Sequence, residues 1–219
     1  MRASPEQLAD LFSLPEEPYV EARYNIAPTQ PVGIVRINPQ TQAREWTHVQ
    51  WGLIPSWAKD PSIGQKMINA RAETVREKPS YRAAFKRRRC LVPASGFYEW
   101  KKSPDGKTPF FITLTGGLFG IAGLWETWSA PDGGELSTCT LLTTDANEKV
   151  SALHDRMPVI IAPQDYELWL GSGKDDPPET LATLQHLLRP YDEEEIELWP
   201  VSRAVNNVRN EGEQLLEHA

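Results

Sequence analysis

Arg88-Arg89-Cys90-Leu91-Val92-Pro93-Ala94-Ser95-Gly96-Phe97-Tyr98-Glu99-Trp100 puts two kinds of strand next to each other. Cys90-Leu91-Val92 is a short apolar run of the sort that forms a strand buried on both faces, and Pro93 to Gly96 punctuates it. Gly96 to Lys101 is rich in aromatics, and the two-residue repeat of a strand puts Glu99 on the face of Phe97, between flanking rings. Further strand candidates lie at Gly33–Ile37, Arg44–Trp51, Phe110–Thr115, Phe119–Trp125, Leu136–Thr143 and Pro158–Ile161. Turn signals such as Ser103-Pro104-Asp105-Gly106 and Pro131-Asp132-Gly133-Gly134 separate them. Helical patterns are confined to residues 4–13, roughly 73–85, 146–152, 164–170 and 178–188; the first opens on Ser4-Pro5-Glu6-Gln7, a capping-box signature with proline at the first helical position. Hairpin spacing in place of alternating strand and helix predicts a strand-dominated α+β domain with mostly antiparallel sheets.

The chain has 219 residues, 40% hydrophobic and 24% charged, enough for one self-sufficient core and inconsistent with a disordered, collagen-like or coiled-coil chain. The longest apolar runs, such as Met157–Ala162, are far shorter than the ~20 residues of a membrane helix, so no membrane association is expected. Met1-Arg2-Ala3-Ser4-Pro5-Glu6 has no apolar signal segment. Two cysteines, Cys90 and Cys139, fit a reducing cytoplasm. No His, Cys and Asp grouping has metal-ligand spacing and no glycine-rich phosphate loop occurs, so neither metal nor nucleotide cofactor is expected.

The net charge is −7, but Arg76–Lys102 holds nine Lys or Arg against two Glu, and Gln164–Glu197 holds ten acids against two bases. The basic strip is read either as a local polyanion contact or as a solvated face. Among eight tryptophans, Trp51-Gly52-Leu53-Ile54-Pro55-Ser56-Trp57 puts two indoles around a loop. Trp51 suits the core, while Trp57 is placed between core and an exposed stacking face for unpaired bases.

Three polar groups stand out. Asn69 and Arg71 lie two apart, on one face of an extended backbone, a pairing suited to a phosphate or carbonyl. Glu99, held among aromatics, would be desolvated and shifted toward general-acid duty near neutral pH. His154 sits at an element junction in Leu153-His154-Asp155-Arg156-Met157-Pro158, able to carry a proton or simply to close a loop. None of these alone identifies an enzyme.

Arg23-Tyr24-Asn25-Ile26-Ala27-Pro28, Trp51–Trp57, Asn69-Ala70-Arg71-Ala72-Glu73-Thr74, Arg88–Trp100, His154–Pro158 and Val201-Ser202-Arg203-Ala204-Val205-Asn206-Asn207 follow one another in an order that closely resembles the SOS-response-associated peptidase (SRAP) family. The resemblance implies a single domain over residues 1–219 with an open barrel-like core and a few flanking helices, acting as a monomer on abasic sites in single-stranded DNA, including strand junctions. Members of that family begin Met-Cys-Gly-Arg, remove their own methionine, and close the amine and thiol of the exposed cysteine onto the open-chain aldehyde as a thiazolidine. By position, Glu99 resembles the proton shuttle, Asn69 the group orienting the N-terminus, and His154 the partner of the opened sugar. Arg71 and Arg156 resemble phosphate contacts, and Pro28 and Trp57 resemble parts of a wedge against flanking bases. Asn25, Arg82, Trp100 and Ser202 complete the DNA-contact set that the resemblance implies.

This chain carries Arg2 where the family pattern has cysteine. Met1 followed directly by a helix cap is read as the interior of a domain whose opening strand lies upstream, so covalent capture is expected of the longer form and DNA binding without chemistry of the chain as written. An unrelated His/Glu hydrolase is the third function class.

Overall fold

Every residue except Asp105 is described by the computed structural model of this chain. Its strands are β1 (Pro31–Ile37), β2 (Arg44–Trp51), β3 (Asn69–Arg71), β4 (Arg89–Ala94), β5 (Phe97–Ser103), β6 (Gly106–Leu114), β7 (Phe119–Ser129), β8 (Glu135–Asp145), β9 (Arg156–Pro158), β10 (Ile160–Ile161) and β11 (Ile196–Pro200). The helices are α1 (Pro5–Phe12), α2 (Arg82–Arg87), α3 (Glu148–Ser151), α4 (Tyr166–Leu170) and α5 (Pro178–Leu187). This is the expected strand-dominated α+β domain.

The apolar run that opens the analysis becomes β4, buried along its whole length because β1 and β7 flank it on both sides. From β4 the pairing runs through β1, β2 and β8 back to β7, so the barrel closes on itself with five strands. One of its pairings, β2 with β8, is parallel, and nothing in the hairpin-like spacing announces it. A separate three-stranded sheet, β11-β6-β5, is wholly antiparallel. The turn expected at Ser103-Pro104-Asp105-Gly106 falls between β5 and β6, with Asp105 outside the described residues; Pro131–Gly134 joins β7 to β8, as expected.

Alternation along the strands sends side chains to two cores. Val35, Leu91 and Leu124 pack with Leu8, Phe12, Phe85, Trp169 and Leu184 from the helices, so this core lies outside the ring. Ile34, Cys90, Val92, Ile121 and Cys139 fill the second core, on the inner face. The capping box forms as expected: Gln7 N–H donates to Ser4 Oγ at 3.1 Å and Ser4 N–H to Gln7 Oε1 at 2.9 Å.

The helix expected over 73–85 shrinks to α2. Residues before it form turns in which Thr74 O accepts the N–H of both Glu77 and Lys78, and Pro79 disfavours helical backbone at Lys78. The charge split also resolves differently from either sequence reading. Arg89, 2% exposed, pairs with Asp176, Arg87 pairs with Asp175 at 3.7 Å, and Arg88 pairs with Glu126. Part of the basic strip is thus spent holding the acidic stretch against the barrel.

Candidate functional site

Strand β8 organises the site. On one side it pairs in parallel with β3, Asn69 opposite Leu141 and Arg71 opposite Thr143. On the other it pairs antiparallel with β9, Arg156 opposite Asp145. His154 follows α3, its N–H bonded to Val150 O at 3.1 Å. Two segments distant in sequence are thereby brought to one end of the barrel, where the β5–β6–β11 sheet adds Glu99. The result is a cavity of about 700 Å³ lined by Asn69, Arg71, Glu99, Trp100, His154 and Arg156 among others, with Asn25 and Pro28 at its wall. Its apolar lining includes Val92, Ile121 and Leu141, whose side chains also border the inner core, so the cavity is the barrel's mouth.

Glu99 is half-buried on β5. Desolvation raises its carboxyl above the ordinary range; the His154 charge and the Trp100 backbone N–H oppose that rise, while Asp155 adds to it. The upward shift expected of a carboxyl held among aromatics is thus what burial produces here. His154 Nδ1 accepts the Arg156 backbone N–H at 3.0 Å. Arg71 is exposed and forms no salt bridge among the described residues.

Arg156 is differently placed. Its Nη1 donates to Glu73 Oε1 at 2.8 Å and Asp145 Oδ1 at 2.7 Å, and its Nη2 to Glu73 Oε2 at 3.0 Å and Thr143 O at 2.6 Å. Both terminal nitrogens are therefore saturated inside the protein.

Asn25 is 6% exposed, and its side-chain amide donates to Val205 O at 3.0 Å and Asn207 O at 3.1 Å. Trp100 Nε1 donates to Asn206 Oδ1 at 2.8 Å. Together they pin the 205–208 segment as a wall, which gives them an architectural task in addition to their place at the cavity. Tyr98, which the sequence reading did not single out, ties β5 to the segment before Asn25 by donating from its hydroxyl to Tyr24 O at 2.9 Å, and burial pushes that hydroxyl up to about 12. Three residues of the sequence-derived set lie outside the cavity lining. Ser202 Oγ accepts Ala204 N–H at 3.2 Å and so caps the turn at Arg203–Asn206. Arg82 is exposed on the solvent side of α2. Trp57 stands 60% exposed on a loop whose root is fixed by Gly52, where φ is +132° and a Cβ would meet Gly64 O at 2.7 Å. The loop's other indole, Trp51, donates to Ile68 O at 2.8 Å and lines the cavity.

Neither cysteine can act here. Cys90 and Cys139 are fully buried; burial pushes the Cys139 thiol up to about 12 and raises that of Cys90 well above its usual value. The Met1 amine lines the cavity, donates to Arg23 O, and is lowered to about 6 by burial. Among the described residues no group of three His, Cys, Asp or Glu could hold a metal ion, and no helix is long and apolar enough to cross a membrane.

The barrel's mouth gathers an amide, a guanidinium without a salt-bridge partner among the described residues, a carboxyl raised by burial and an imidazole, groups of the kind that serve acid/base chemistry on an anionic or carbonyl-bearing ligand. The family model of SOS response associated peptidases (SRAP) matches residues 1–208, and the chain belongs to that family. It is 46% identical over 206 residues to the abasic site processing protein YoqW of Bacillus subtilis, covering 93% of this chain and 89% of YoqW. It is 37% identical over 224 residues to the abasic site processing protein HMCES of Gallus gallus, covering 88% of this chain and 65% of HMCES. A crystal structure of a Bacteroides thetaiotaomicron protein superposes with a TM-score of 0.85 at 24% identity, covering all of this chain and 97% of that one, which speaks for the fold.

Proposed function

We propose that this protein recognises abasic sites in single-stranded DNA, including those at strand junctions, as a cytoplasmic monomer. One observation carries the reading: Asn69, Arg71, Glu99 and His154 converge on a single cavity, with the Glu99 carboxyl raised by burial. That an abasic site is the target is supported by the relatives' names, abasic site processing proteins. Arg71 takes a backbone phosphate, His154 the opened sugar, and Pro28 and Trp57 the flanking bases.

Covalent processing is the reading for a form that carries Met-Cys-Gly-Arg-Phe upstream. There the α-amine, oriented by Asn69, attacks the aldehyde carbon to give a carbinolamine. Protonated Glu99 gives its proton to the departing hydroxyl, water leaves, and the iminium so formed returns its N–H proton to the Glu99 carboxylate, leaving an imine. The cysteine thiol then adds across the C=N bond, sulfur to carbon and proton to nitrogen, closing a thiazolidine. Proximity of amine and thiol favours the ring. Residues 1–219 hold no such aminothiol, since position 2 is arginine and both thiols are buried.

Gel electrophoresis with an abasic oligonucleotide tests both readings. Residues 1–219 should give a salt-sensitive shift and no heat-stable adduct, and the extended form a heat-stable adduct. No shift and no adduct from either form overturns the proposal.

A further inference from the structure

Arg156 stands between the two halves of the cavity wall. Through its backbone N–H it donates to His154 Nδ1 at 3.0 Å, an arrangement that favours Nδ1 as acceptor and the proton of the neutral ring on Nε2, against the pull of Asp155 Oδ1 at 3.2 Å and Arg156 O at 3.3 Å, which favour a proton on Nδ1. Through its guanidinium it grips Glu73 with both terminal nitrogens, 83 residues away in sequence, and β8 through Asp145 and Thr143. Glu73 follows Arg71 by two residues, just beyond the end of β3. The fork thus ties the segment that carries Asn69 and Arg71 directly to the one that carries His154.

Charge argues against a phosphate seat at this point. Arg156, Glu73 and Asp145 together carry one negative charge in excess, and both terminal nitrogens of Arg156 are already bonded within the protein. A planar fork closed on a carboxylate fixes orientation as well as distance. The same pairing holds the Glu73 carboxyl below its usual range.

We propose that Glu73 is a positioning residue: acting through Arg156, it holds the His154 loop against the Asn69 strand and fixes the imidazole as the Nε2–H tautomer. His154 then presents to an opened sugar a donor chosen before the ligand arrives. The inference rests on the reading of His154 as a site residue, but its decisive measurement needs no DNA.

That measurement is the long-range ¹H–¹⁵N spectrum of His154 in the full chain without DNA, at a pH where the ring is neutral. The parent should show the Nε2–H pattern. Glu73→Ala should convert it to a mixture of tautomers, and Glu73→Gln, which keeps one acceptor and a similar shape, should fall between them. An unchanged tautomer in both variants overturns the proposal, and Glu73→Gln keeps the test decisive should Glu73→Ala fail to fold. Affinity for abasic single-stranded DNA is read in parallel. A loss of less than about tenfold together with the tautomer change supports a positioning role. A loss of about tenfold or more with the tautomer intact makes Arg156 a phosphate ligand oriented by Glu73, and overturns it. A parent that binds no DNA defeats the proposed function, while the spectrum still decides the role of Glu73.

Discussion

Salt dependence of DNA binding separates the two arginines that the family resemblance treats alike. Each phosphate neutralised on a single strand contributes about 0.7 to the slope of log affinity against log salt. At the cavity, Arg2 pairs with Glu213 at 3.3 Å, Arg23 with Glu211 at 2.7 Å, and Arg156 with Glu73 and Asp145, which leaves Arg71 as the lining arginine without a carboxylate partner among the described residues. Arg71→Ala should lower the slope by about 0.7, so that the affinity lost between 50 and 200 mM salt shrinks by about 2.6-fold. The comparison is the double substitution Glu73→Gln with Arg156→Met, which removes one charge of each sign and leaves the local net charge as it was. Its slope should equal the parent's. Fluorescence anisotropy of a labelled abasic oligonucleotide across that salt range reads both. A double variant whose slope drops as far as that of Arg71→Ala would refute the reasoning, because Arg156 would then be neutralising a phosphate despite its carboxylates.

The folded-state pKa of Glu99 lies above the ordinary value, so its contribution to stability is full below the ordinary glutamate range and is lost as pH rises through the folded pKa; Glu99→Gln should leave the melting temperature nearly unchanged near pH 4 and raise it at pH 8. Absence of a gain at pH 8 would show a solvated carboxyl. In the extended form, the same substitution should slow adduct formation about 10²-fold. Asp176→Ala leaves the guanidinium of Arg89 buried with backbone carbonyl partners, Phe85 O at 2.8 Å and Lys86 O at 3.0 Å among them. That should cost about 3–5 kcal/mol, or about 6–20 °C in melting temperature, with DNA affinity unchanged; calorimetry and anisotropy check the pair.

Much of this site could be read before any coordinates, because the signals were local. The two-residue repeat around Glu99, the Asn69 and Arg71 pair on one extended face, and the capping box at Ser4 each lie within one short segment. What stayed hidden depended on partners far along the chain. Nothing near Glu73 marks it, since its partner is 83 residues away. Asn25 resembled a ligand contact, yet its amide is bonded to carbonyls about 180 residues on. The basic strip invited a polyanion because its partners, Asp175 and Asp176, sit in a different composition block. The parallel β2–β8 and β3–β8 pairings leave no trace in hairpin spacing.

The two-sided use of β8 sets the order in which this molecule comes together. Asn69 meets Leu141 at a sequence separation of 72, and contacts of such separation are entropically costly and form slowly. Hairpins such as β5–β6 and β7–β8 can assemble early, but the ligand-gathering mouth exists only once the ring has shut and β3 has docked. A nascent or partly unfolded chain therefore carries all the polar groups of the site without their mutual geometry, and the cavity itself arrives late, together with the barrel's final seam.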